Sequence, residues 1–187
     1  MTTPALDVAT LLLTDGARRY GDSVSQLAHA LQCAAHARRA GADDDLALAA
    51  LLHDIGHLAG GHGVVSEKGM SADEETPARH HGQHAARLIA PYVPGRVVWV
   101  VEHHVIAKRY LCATEPAYVA GLSPASVRSL AAQGGPLSTE ECRALERERW
   151  FAEVVAVRRW DDLAKDATAV VPALDAYRPL LAKYALA

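Results

Sequence analysis

The chain has 187 residues, half of them hydrophobic, and a formal net charge of −3. That length fits one domain, residues 1–187, around one core. The lack of a basic excess argues against nucleic acid as a partner, residues 1–12 lack the basic start and long apolar run of a secretory leader, and no stretch approaches the length that crosses a bilayer, so the chain reads as cytoplasmic with no membrane partner.

Aromatic residues make up only 5% of the chain, so the core must be built from Ala, Leu and Val, a composition that favours helices over strands. Residues 7–20 carry Val8, Leu11 and Leu12 at helical spacing. Asp22 then reads as an N-cap for a helix over 23–39, which Gly41 ends. Asp43 to Asp45 supply carboxylates for the next N-terminus. Residues 46–55 follow as a helix apolar all round, the signature of a buried one.

Residues 59–77 are Gly-rich and then acidic, and read as a loop that closes over a site. Helices are expected again over 79–90 and 96–108, with Pro91 and Pro94 between them. Ser123 caps a helix that starts at Pro124, and Gly134-Gly135-Pro136 ends it. Ser138 or Thr139 with Glu141 opens a helix running to about 146. Residues 149–166 and 172–186 complete the set. No segment alternates like a strand, so the fold class is all-α, helices packed in a bundle.

The three cysteines lie far apart without CxxC spacing, which argues against a disulfide framework or a thiolate metal site. Histidine is the anomaly. There are ten, mostly clustered, and neutral imidazole is the commonest protein metal ligand. In ALLHDIGH, His53 and Asp54 are adjacent on the most apolar helix. A buried carboxylate beside an imidazole is costly unless paired or bound to a cation; a divalent metal satisfies both groups.

His29 in SQLAHALQ, the His53-Asp54 pair, and a distal Asp in RRWDDLAK together resemble the HD superfamily of helical metalloproteins. The resemblance implies a metal set of His29, His53, Asp54 and Asp161. It further implies that His80 and His104 complete a second metal position with Asp54 as the bridge, while His81, His84 and His103 lie at the surface or behind the ligands. Its preference for His104 over His103, and for Asp161 over Asp162, comes from the same comparison.

Most HD proteins are metal-dependent phosphohydrolases acting on nucleotides or small phosphoesters, and that activity is the alternative reading. The segments HVIAKRYLC and LSPASVRSLAAQGGP resemble a smaller branch, the mixed-valent di-iron oxygenases that cleave organophosphonates such as 2-amino-1-hydroxyethylphosphonate and its trimethylammonio analogue. Membership would imply two irons, Fe(II)/Fe(III) in the active form. The substrates would be a small organophosphonate and O2, and the products phosphate and a carboxylic acid, glycine or glycine betaine.

The side chains in those segments suit an anionic substrate. Lys108 lies one turn after His104 and His57 one turn after His53, so each shares a face with a ligand. Ser126 and Ser129 lie near a helix N-terminus, where anions are favoured, and Arg158 offers a further cationic donor. In the amino-substrate members a Tyr and a Glu precede the first His. Here Asp22 stands in place of the Glu and Tyr20 is displaced by one position from the Tyr. By that resemblance Asp22 and Tyr20 are substrate contacts, the Asp one methylene shorter and the Tyr an aromatic wall suited to a quaternary ammonium.

Overall fold

In the computed structural model, which describes residues 6–17, 19–20, 24–59 and 77–187, the Ala-Leu run expected to be buried forms the innermost helix, α3 (Asp44–Leu52). Asp43 caps it by accepting from the Leu46 amide at 3.0 Å, and Asp44 and Asp45 add charge that favours this helix end. Every residue from Ala47 to Leu52 is buried. Three helices surround it. α2 (Gln26–Arg39), α6 (Gly95–Thr114) and α10 (Phe151–Leu163) all pack on α3, and α10 also packs on α2 and α6.

Around this centre lie α1 (Val8–Asp15), the single turn α4 (Gly56–Ala59) and α5 (Pro77–Ile89), which lies along α4 and α6. α7 (Pro116–Ala120), α8 (Pro124–Ala132) and α9 (Thr139–Leu145) form a shelf after α6. A 3-10 turn at Leu174–Tyr177 and α11 (Arg178–Lys183) close the chain. The Val8 amide donates to the Leu186 carbonyl at 2.9 Å, tying the two ends of the described chain together. Arg96 fixes the start of α6 by donating to both Glu153 carboxylate oxygens at 2.8 and 3.0 Å and to Asp43 at 2.6 Å.

Several caps fall where the sequence places them. Ser123 accepts from the Ser126 amide ahead of Pro124, Ser138 and Glu141 form a reciprocal capping box, and Gly41 takes φ +77° after α2. Other boundaries move. The first helix stops at Asp15, and two-residue strands β1 (Arg19–Tyr20) and β2 (Val24–Ser25) pair antiparallel where helix was expected. The α2 cap is Ser25, whose hydroxyl accepts from the Ala28 amide; Asp22 lies outside the described residues. α6 runs on through Thr114, α7 was not foreseen, and the final segment is a 3-10 turn plus a short helix in place of one long helix. Among the described residues no helix is long and apolar enough to cross a membrane.

Candidate metal centre

The buried helix α3 ends at Leu52, and His53 to Ile55 form a turn before α4. This break lets two consecutive side chains face one point. His53 turns back so that its Nδ1 lies 2.8 Å from the Ala50 carbonyl, and Asp54 projects between the helices. His29 from α2 and His104 from α6 are held in the same way, Nδ1 to the carbonyls of Ala164 (2.8 Å) and Val101 (2.7 Å). A carbonyl can only accept, so each Nδ1 carries the proton and each Nε2 presents a lone pair to the centre.

Asp54 divides the cluster. Its Oδ2 lies 3.5 Å from the Nε2 atoms of both His29 and His53. Its Oδ1 lies 3.2 Å from His81 Nε2 and 3.3 Å from His104 Nε2, with His57 Nε2 at 3.9 Å. Asp161 joins the first half, its Oδ1 3.4 Å from His29 Nε2. His29, His53, Asp54, His81, His104 and Asp161 are all buried. Burial opposes ionisation of Asp54, but the facing imidazoles, His53 foremost, hold its carboxyl well below the usual range. Burial also lowers His53 and His57 to about 4, so both are neutral near pH 7.

The arrangement fits metal ions. Asp54 Oδ2 is buried with no hydrogen-bond donor among the described residues, an expensive state that a cation relieves. The His29 and His53 Nε2 atoms stand 3.1 Å apart, and those of His81 and His104 stand 2.8 Å apart. Two ligands at roughly 2.1 Å from one ion are about 3.0 Å apart at a right angle and about 3.4 Å apart at a tetrahedral one. The imidazole pairs lie near the right-angle spacing and the carboxylate–imidazole contacts of 3.2–3.5 Å run up to the tetrahedral one, the range expected of ligands sharing an ion with mixed imidazole and carboxylate donors. With one carboxylate oxygen facing each imidazole pair, the residues fit two ions bridged by Asp54.

Of the sequence-predicted set, the structure brings His29, His53, Asp54, His104 and Asp161 together, but it puts His81 where His80 was expected. The two differ by about 100° around α5. His81 lies on the face that buries Ala85 and Ile89, while His80 is half-buried with its Nδ1 3.0 Å from the Gln83 side chain. His103 stacks on Trp99, ring centroids 4.2 Å apart, away from the cluster. Asp162 faces Arg158 and Lys165, not the imidazoles. Two glycines permit this packing. A Cβ on Gly56 would lie 2.2 Å from the His81 carbonyl, and one on Gly82 would lie 2.8 Å from the Glu102 carbonyl and 3.3 Å from the His104 ring.

A pocket of about 160 Å³ opens beside the cluster, lined by Asp54, His57, His81, His104 and Asp161 on one side and by Lys108, Ser126, Ser129, Gln133, Arg158 and Lys165 on the other. His57, Lys108, Ser126, Ser129 and Arg158 were all foreseen; Lys165 was not. The Lys108 ammonium is buried and donates to the Ser126 carbonyl at 2.9 Å and to the Ser129 hydroxyl. Burial, with Arg158 nearby, pulls it down to about 8. Arg158 pairs with Asp161 and Asp162 and donates through Nε to the Tyr118 hydroxyl at 3.0 Å. Desolvation by burial pushes that hydroxyl above its ordinary range. The side chain of Tyr20 and all of Asp22 lie outside the described residues, as does most of the expected closing loop 59–77.

A helical core with this histidine–aspartate order is the HD architecture, and the HD-domain family model matches residues 27–164. The chain belongs to the HD-domain family. It is similar to the [1-hydroxy-2-(trimethylamino)ethyl]phosphonate dioxygenase (glycine-betaine-forming) of Leisingera caerulea, 37% identical over 86% of this chain and 79% of the relative. It is also similar to the hydroxymethylphosphonate dioxygenase of Gimesia maris, 38% identical over 89% of this chain and 81% of that one. An uncharacterised protein of Acanthamoeba polyphaga mimivirus is 33% identical over 90% of this chain and 75% of its own.

Proposed function

We propose that this protein is a di-iron dioxygenase that cleaves the C–P bond of a small 1-hydroxyphosphonate bearing an amino or trimethylammonio group at C2. The observation that carries the reading is the Asp54 carboxylate, with an imidazole pair facing each oxygen and a pocket lined by Lys108, Arg158 and Lys165 at its side. The names of both dioxygenase relatives support an oxygenase acting on a 1-hydroxyphosphonate, and the first alone supports the substituted nitrogen. In the overall reaction C1 is oxidised to a carboxyl group and O2 is reduced, the C–P bond breaks, and phosphate leaves. Both atoms of O2 end in the products, glycine or glycine betaine with phosphate.

His29, His53 and Asp161 would hold one iron and His81 and His104 the other, with Asp54 bridging and His57 within reach of the second. A mixed imidazole and carboxylate donor set suits iron. The irons, Fe(II)/Fe(III) in the active form, supply the redox chemistry and activate O2. The protein's own part is binding and orientation. Lys108, held by Ser126 and Ser129, and Arg158 present positive charge to the phosphonate oxygens at the pocket wall. This places C1 and its hydroxyl toward Asp54 and the imidazoles. His57, neutral and stacked on His81 with centroids 4.2 Å apart, can accept a hydrogen bond from the substrate hydroxyl or donate one to it. Tyr20 and Asp22 are proposed to meet the substituted nitrogen.

The test is phosphate release from iron-loaded protein, with and without O2, from 1-hydroxy-2-aminoethylphosphonates differing in N-methylation. Oxygen-dependent release is expected. Equal release under anaerobic conditions, or turnover of phosphoesters alone, would replace this reading with the hydrolase one.

A further inference from the structure

Lys165 lies just beyond α10, as the last residue of the RRWDDLAK segment and four residues after Asp161. Ala164, its neighbour, is fixed by its carbonyl's bond to His29, so the backbone is anchored while the side chain is about a third exposed. The ammonium stands 3.4 Å from Asp161 Oδ1 and 3.2 Å from Asp162 Oδ1. Asp161 Oδ1 is also the oxygen that faces His29, the oxygen a metal ion would take. The other oxygen, Oδ2, is engaged by Arg158. Lys165 therefore occupies the position from which a metal ion on Asp161 Oδ1 would repel it. Asp162 would still hold it at the rim.

Lys165 and Ser126 line both the pocket beside the cluster and an adjoining cavity of about 290 Å³ between α7, α8 and α10. The other cations of the pocket already share their donors with protein groups. Arg158 spends Nε, Nη1 and Nη2 on Tyr118, Asp161 and Asp162, and Lys108 donates to Ser126 and Ser129. A phosphonate near neutral pH carries up to two charges, and Lys165 is the cation whose contact with Asp161 metal loading would release.

We propose that Lys165 is a specificity-determining residue for the doubly charged phosphonate group: displaced from Asp161 by the metal, it pairs with the second negative charge of the substrate. This rests on the phosphonate reading above, but its test does not require turnover. Sulfate and methanesulfonate share a tetrahedral oxygen face and keep charges of −2 and −1 across the working pH range. Their binding to metal-loaded wild type, Lys165→Gln and Lys165→Arg is measured by calorimetry at fixed ionic strength. Coulomb energy is linear in ligand charge, so Lys165→Gln is expected to lose roughly tenfold for sulfate and only roughly threefold for methanesulfonate. Lys165→Arg should recover most of the sulfate affinity, and metal content should stay at the wild-type level in both variants.

Equal losses on the two probes, no loss on either, a fall in metal content, or no sulfate binding to wild type would each overturn the proposal. Preserved discrimination in a protein that shows no oxygen-dependent turnover would instead remove the oxygenase reading and leave the role of Lys165 standing.

Discussion

Gly56→Ala is the smallest change that reaches the centre. The Cβ it adds would sit 2.2 Å from the His81 carbonyl and 3.0 Å from the Ala85 amide, both backbone atoms of α5. Ordinary contact for such a pair begins near 3.4 Å, so α5 must retreat from the turn by about 1 Å. His81 Nε2 is 3.2 Å from Asp54 Oδ1 and 2.8 Å from His104 Nε2. A shift of that size would carry it out of the range at which it can share an ion with them. Overpacking of this kind costs about 1–3 kcal/mol. His29, His53 and Asp161 come from α2, the turn after α3, and α10, and do not depend on α5. Metal analysis together with urea unfolding is the assay. The expected result is a loss of about 2 kcal/mol, with metal content falling from two ions per chain toward one. Two ions retained at wild-type stability would refute the reasoning, because α5 would then take up the added Cβ without moving His81.

Neighbouring histidines on α5 should separate cleanly: His81→Ala is expected to lose one metal ion and more than a hundredfold in activity, while His80→Ala keeps both ions, as read by metal analysis and oxygen uptake. Lys108 should show opposing effects on stability and binding. Its folded value of about 8 lies below the ordinary one, near 10.5, so the fold favours the neutral amine. Its charge costs stability below about pH 8, and stability rises as pH climbs from there toward about 10.5. Phosphonate KM should rise across the same window, as a pH series of unfolding and kinetics would show. Lys108→Met should accordingly raise the unfolding free energy at pH 7 by about 2 kcal/mol, measured by urea denaturation, while abolishing detectable phosphonate binding. Arg158→Lys keeps the charge but loses the fork that joins Asp161, Asp162 and Tyr118, so kcat/KM should fall at least tenfold with the melting temperature lowered, read by steady-state kinetics and thermal unfolding.

Much of this site could be read from helical phase. On α6, Val97, Val100, Val101, His104, Ala107, Lys108 and Leu111 are all buried, and this spacing follows one helical face. His104 and Lys108 are therefore legible as inward while His103 is not. The same reasoning, applied back from Ile89 and Ala85, lands on His81 rather than His80; the signal was present, and the family pattern alone did not carry it. The break after Leu52 was harder to see, because ALLHDIGH is apolar enough to continue a helix. What stops it is the inward turn of His53 and Asp54 together, a tertiary demand that local propensity does not register. Lys165 closes the RRWDDLAK segment four residues after Asp161, so the turn that makes Lys108 legible from His104 also reaches Lys165 from Asp161, a step the sequence reading missed. The β1–β2 pairing was missed because two residues per strand are too few to alternate.

The account turns on Asp54 joining two irons, and the measurement that meets it directly is electron paramagnetic resonance of iron-loaded, partly reduced protein, with iron counted per chain. Two irons and the half-integer signal of a coupled Fe(II)/Fe(III) pair, altered when the phosphonate is added, are predicted. One iron per chain, or the signal of isolated Fe(III) alone, would contradict it.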